Sequence, residues 1–76
     1  KEDYVIYPNP VSQVLFVSSP DREPFELMVY GISGNLIWKD RDQSEYQIDV
    51  QGYRSGLYFL KLIRQGEISV FKVLVD

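Results

Sequence analysis

The feature that most constrains this chain is a two-residue alternation that recurs from end to end and never gives way to a helical period. Tyr46, Ile48 and Val50 alternate with Gln47, Asp49 and Gln51. Successive side chains of a strand point to opposite faces, so this pattern predicts a strand with one wet face. Phe25, Leu27 and Val29 stand in the same relation to Glu26, Met28 and Tyr30. Residues 14–17 (VLFV) are apolar at every position, which suits a more central strand, and Leu36, Ile37 and Trp38 predict another short one. Residues 57–63 (LYFLKLI) and 68–75 (ISVFKVLV) are longer and heavily apolar, and both are expected in the core. No window longer than one turn carries apolar residues at helical spacing.

Turn formers punctuate these runs. PVSQ and SSPDREP flank the second strand, and KDRDQSE reads as a polar loop. GISGN predicts a hairpin loop in which Gly34 takes positive φ, the left-handed position such loops require. GYRSG makes a further turn, and RQGE a tight hairpin centred on Gln65-Gly66. About seven strands with turns every roughly eight to twelve residues predict an all-β fold, a small antiparallel sandwich of two sheets. A single domain of 76 residues buries only about 60% of its unfolded surface, so its stability margin is thin. Lys1 opens the chain without a methionine or signal peptide, so the sequence reads as part of a longer protein.

The entry to the sandwich, Tyr7-Pro8-Asn9-Pro10, reads as a stiff, extended hinge. Each proline fixes its own φ and pushes its predecessor away from helix. Neither donates a backbone hydrogen bond, so ladder pairing is expected to lapse until Val14. Asn9 is expected to fold its side chain back onto the local backbone and fix the turn.

Composition removes several functions. Without cysteine or histidine there is no disulfide, no thiolate nucleophile, and neither the commonest general base nor the commonest metal ligand. The seven serines therefore lack an obvious activating base. A net charge of −3 argues against nucleic acid, whose binders are usually basic along one face. No apolar run approaches the roughly 18 residues of a membrane-spanning helix. The acidic stretch from Asp40 to Glu45 places oxygens at alternate positions, but Glu45 stands where a calcium loop needs glycine, and a solvated loop is the simpler reading. Asp49 sits on the wet face of its strand. No catalytic, cofactor-binding or metal-ligating residue is assigned, and no enzyme activity is expected. Trp38 and Tyr58 are expected in the core, while Tyr4, Tyr7 and Tyr53 are open between packing and binding. Lys61, Arg64 and Lys72 fall in the last two strands, either as a small cationic patch or, preferably, as charges that protect a sheet edge.

Taken in order, five stretches resemble one family: Tyr7-Pro8-Asn9-Pro10; residues 29–37 (VYGISGNLI); Ile48-Asp49-Val50; residues 55–62 (SGLYFLKL); and residues 71–75 (FKVLV). Together they are similar to the type A C-terminal sorting domain of type IX secretion, found in Gram-negative Bacteroidota. The resemblance covers nearly the whole chain and implies an immunoglobulin-like sandwich over residues 4–76, with residues 1–3 ending a linker from preceding cargo. It implies a structural role for Tyr7, Pro8, Asn9, Pro10, Gly34, Asp49, Gly56, Tyr58 and Lys61. It places recognition on Lys72, Val73, Leu74 and Val75. The implied partners are the type IX translocon and an attachment complex with a sortase-like surface peptidase; the charge and the apolar runs lead to no nucleic acid and no direct membrane insertion, and an exposed edge strand leaves a weak homodimer open. The implied route runs through the periplasm to the outer membrane and cell surface, usually followed by removal of the domain and attachment of cargo to anionic lipopolysaccharide. Two positions depart from the family's pattern: Gly31, often aspartate, which implies a differently shaped central turn, and Tyr53, more often leucine. Two other readings are a retained docking domain of the same system and an adhesive or carbohydrate-binding module using Trp38 and the tyrosines.

Overall fold

The computed structural model describes residues 4–76; the expected linker end at residues 1–3 lies outside them. Seven strands form: β1 (Val5–Tyr7), β2 (Val14–Ser18), β3 (Phe25–Tyr30), β4 (Leu36–Gln43), β5 (Glu45–Asp49), β6 (Gly56–Arg64) and β7 (Glu67–Val75). They build two sheets, one of order β1-β2-β5 and one of order β4-β3-β6-β7, with every strand pair antiparallel. The fold is a small all-β sandwich compatible with the immunoglobulin-like class, as the alternation predicts.

The core lies between the sheets. Leu15, Val17, Tyr46 and Ile48 enter it from the smaller sheet, and Phe25, Leu27, Val29, Leu60, Leu62, Val73 and Val75 from the larger. Trp38 and Tyr58 do not reach full burial; both are half-buried and pack against the core's edge. Trp38 stands edge-on to Tyr46 with ring centroids 5.9 Å apart. The open tyrosines divide. Tyr4 packs edge-on against Phe25 and Phe71, and Tyr53 leans on Tyr58. Tyr7 lies 52% exposed, stacked on Phe16.

Two expectations about the strands need correction. Residues 39–45 are not a loop: β4 continues through Gln43, and only Ser44 separates it from β5. The reason is position. β4 is an edge strand with β3 as its one partner, and apart from Trp38 its side chains are exposed, so no alternation betrays it. At Ser44 the chain turns from one sheet into the other, where the Ser44 carbonyl accepts from Ser19 N–H at 3.1 Å. Asp42, with φ of 72°, helps the chain bend there. The second correction concerns residues 68–75. They are not wholly core: β7 is the opposite edge of the larger sheet, and Ile68, Val70 and Leu74 are 59%, 60% and 44% exposed. Only Val73 and Val75 are buried. A run apolar at every position can mean burial on both faces or, as here, one apolar face left uncovered.

The turns follow the sequence more closely. Gln65 and Gly66 both take positive φ, 50° and 82°, as a two-residue hairpin of this hand requires. Gly34 sits at φ 89°, and the turn it closes is held by Gly31 N–H to Asn35 C=O (2.9 Å) and Gly34 N–H to Gly31 C=O (3.0 Å). At Gly31, one of the two positions that depart from the resemblance, an added Cβ would meet Asn35 Oδ1 at 2.7 Å. The Asn35 side chain, itself accepting from Ser33 Oγ, fills the space of the missing one.

Candidate functional site

The residues expected to carry recognition, Lys72, Val73, Leu74 and Val75, lie in the final turn-free stretch of β7. Their inward edge is paired to β6, with Val73 opposite Tyr58 and Val75 opposite Gly56. Gly56 adopts φ of 145°, which only glycine reaches without strain, and so allows β6 to begin directly beside the end of β7. Their outward edge is the surprise. Asn9 Nδ2 donates to the Lys72 carbonyl at 3.1 Å, and Leu74 N–H donates to Asn9 Oδ1 at 2.9 Å. Val11 N–H donates to the Leu74 carbonyl at 2.9 Å, and Asp76 N–H to the Val11 carbonyl at 2.8 Å. Val11 and Val75 thereby form an isolated parallel bridge.

The proline-flanked motif and the terminal strand are thus one site, not two ends of the molecule. This corrects two expectations. Asn9 does not fold onto its own backbone; it reaches across to β7. Pairing resumes at Val11, before Val14. The physics explains why the segment reads Pro-Asn-Pro. Two prolines remove two backbone donors, and a primary amide restores one donor and one acceptor from a side chain. An aspartate offers no such donor and could make only half of the pair. The peptide bonds Tyr7-Pro8 and Asn9-Pro10 are both cis. Val11 is fully buried, yet its sequence context, a lone apolar residue between Pro10 and Ser12, carries no periodicity by which it could be found.

The other positions that the resemblance singles out are placed as follows. Asp49 is exposed, as its alternation predicts, and its Oδ1 accepts from Gln51 N–H at 3.0 Å, closing the turn after β5. Tyr58 Oη donates to the Arg54 carbonyl at 2.7 Å and ties the start of β6 to the preceding turn. Lys61 projects from the outer face of the larger sheet, between buried Leu60 and Leu62.

That outer face is unusual. Across β6 and β7 its cross-strand pairs are Leu57–Leu74, Phe59–Lys72, Lys61–Val70 and Ile63–Ile68. One strand further in, Met28 is only 8% exposed although it lies outside the core cluster. Its neighbours on the two flanking strands are Lys61 and Lys39, whose aliphatic stems are long enough to cover it. Arg64 does not join them. It turns toward the opposite side, where its guanidinium bonds Asp21 at 2.9 Å with 10% of the side chain exposed and stands 5.2 Å from the centre of the Tyr4 ring. The expected three-residue cationic patch is therefore two residues from these strands plus Lys39 from β4. Edge protection suits Lys72 alone, since Lys61 belongs to an interior strand.

Among the described residues no group of three or more acidic side chains converges as a metal site would, and Asp40 is engaged locally by Arg41 N–H and Gln43 Nε2. The two phenols with shifted ionisation are structural. Burial first, and the carboxylates of Asp40, Asp42 and Glu26 next, push Tyr46 above the usual tyrosine range, against a lowering by the Gln43 N–H it accepts. Burial also raises Tyr53, with smaller contributions from Tyr58 and Asp49. Trp38 is half-buried and turned against Tyr46.

No curated protein matches the chain. Residues 5–76 match the family model described as the secretion system C-terminal sorting domain, which spans every described strand. The chain is accordingly a member of the type IX secretion C-terminal sorting domain family.

Proposed function

We propose that this domain directs its parent protein through the type IX outer-membrane translocon, and that the element read is residues 72–75 in the posture imposed by Asn9 and Val11. The observation that carries this reading is the four-bond clasp on the outward edge of residues 72–76. A free strand end would fray, and a frayed end has no defined shape to recognise. Fixed on both edges, the stretch presents Lys72 and Leu74 outward while Val73 and Val75 anchor it in the core. Recognition then needs no unfolding of the sandwich.

The parent protein passes through the periplasm and reaches the cell surface. There a sortase-like peptidase removes the domain and joins the cargo to anionic lipopolysaccharide. The domain itself contributes binding and no catalysis. A folded reporter fused ahead of this chain in a type IX-secreting bacterium tests the reading. Deleting residues 72–76 is expected to leave the reporter in the periplasm, and normal display of that truncated fusion would overturn it. The mass of the mature surface reporter then tells removal from retention.

A further inference from the structure

The outer face of the larger sheet has an unexplained composition. Between Gly56 and Val75 it presents Leu57, Phe59, Ile63, Ile68, Val70 and Leu74 together with two lysines, and one strand further in Glu26 of β3 stands across from Ile63 on the same face. All three lysines among the described residues, Lys39, Lys61 and Lys72, stand on this one face. Yet the protein carries a net charge of −3. The smaller sheet's outer face shows the reverse, with Glu45, Gln47 and Asp49 exposed along β5. Lysines outnumber the carboxylate Glu26 on one side of the sandwich, and carboxylates line β5 on the other. Solubility alone does not ask for that: the lysines stand among exposed apolar side chains instead of in the polar loops.

We infer that this face is a docking surface for a partner protein whose own surface combines apolar side chains with carboxylates. The argument is charge complementarity together with pattern. Each lysine is paired across strands with an apolar residue, Lys72 with Phe59 and Lys61 with Val70. A complementary sheet or extended segment would set carboxylates between its apolar residues at the same two-residue spacing. A second copy of this chain fits poorly, because pairing the face with itself opposes lysines, and Glu26 of β3 is a single carboxylate against three of them. A lipid surface also fits poorly. The ammonium groups are interspersed among the apolar side chains, so sinking this face into hydrocarbon draws charge toward the bilayer at a cost, and the acidic balance of the domain opposes an anionic membrane. Because β7 supplies both the recognition stretch and half of this face, the inference deepens the proposed sorting role and rests on it for the partner's location. That location is the export apparatus.

The test uses the reporter fusion in secreting cells with three changes. Lys61→Glu with Lys72→Glu reverses the face's charge, Lys61→Arg with Lys72→Arg keeps it, and Val70→Asn removes apolar contact. All three positions lie off the core, and urea midpoints of the purified domains verify that each variant is folded. The expected result is a loss of surface reporter of about tenfold or more on charge reversal, a smaller loss for Val70→Asn, and display within about twofold for the arginine pair. Display unchanged by charge reversal, while deletion of residues 72–76 blocks export, overturns the face and leaves the sorting role standing. Loss on charge reversal with the deletion still displayed keeps the face and overturns the terminal stretch as the signal. Two measurements on the purified chain give the other occupants their chance. A dimer in sedimentation velocity that charge reversal dissolves, or lysine-dependent binding to vesicles of anionic phospholipid, would overturn the inference.

Discussion

The larger sheet has two edges, and they are protected in different ways. β4 is exposed on nearly all its side chains and carries Lys39, Asp40, Arg41 and Asp42 in succession; charge alone keeps other strands from adding to it. β7 is apolar, and its terminal half is covered by Asn9 and Val11. A charged edge can vary in sequence without changing what it does. A clasped edge cannot, because both the strand and its cover must keep their register. The comparison teaches where this domain concentrates its specificity: on the edge where hydrogen bonds, not repulsion, finish the sheet.

The comparison can be broken most sharply by truncating the buried side chains of the clasped edge. Val73 is 2% exposed, and Val73→Ala is expected to destabilise the domain by about 2 kcal/mol. Chemical denaturation measures it, and a change below about 0.5 kcal/mol would mean that β7 is not packed as described. Next comes the corner that ends β4. Tyr46 Oη donates to the Phe25 carbonyl and accepts from Gln43 N–H at 3.3 Å, so Tyr46→Phe is expected to cost about 1–2 kcal/mol. The same phenol sets an alkaline limit. Its folded pKa is raised, so the neutral form stabilises the native state fully below the ordinary tyrosine value of about 10. That stability is lost as pH climbs from there through the raised value. Urea midpoints taken from pH 8 to 11 should fall at the alkaline end, less steeply in Tyr46→Phe; Tyr53 leaves part of the slope in place.

The clasp itself comes third. Asn9→Ala removes both side-chain bonds to β7 at a partly wet site and is expected to cost about 1 kcal/mol. Asn9→Asp keeps the acceptor for Leu74 N–H and loses the donor to Lys72, so its cost should be smaller than alanine's. Faster hydrogen exchange at Leu74 in Asn9→Ala, with the β3 amides unchanged, would locate the loss. The smallest effect belongs to the charged edge. Asp40→Ala, although it removes two local hydrogen bonds, should change stability by no more than about 0.5 kcal/mol. A larger loss would show that β4 depends on specific contacts after all.

What could be read from the chain follows the same division. Strands with one buried face, such as Tyr46–Ile48–Val50, announce themselves because water and core select opposite residues at alternate positions. The Gln65-Gly66 and Gly34 turns announce themselves because few residues tolerate positive φ. β4 is illegible past Trp38, since an edge strand wet on both faces has no alternation to show. β7 is misleading for the opposite reason: Ile68, Val70 and Leu74 look like core and are surface. At the site, the motif residues and the terminal stretch are each visible, but not their union. A hydrogen bond between residues 63 apart leaves no trace in local pattern, and prolines advertise only the donors they lack. Val11 is the residue that sequence reasoning misses outright.

The distance along the chain between Asn9 and its partners has a kinetic meaning. Hairpins such as β6–β7 close loops of a few residues, whereas the clasp joins positions 63 and 65 apart and needs residues from both ends of the domain in place. A chain cut short at either end can still build its hairpins, but it has nothing with which to fasten them. Contacts that span so much of the domain report on its completeness as no hairpin does, and they are made on β7.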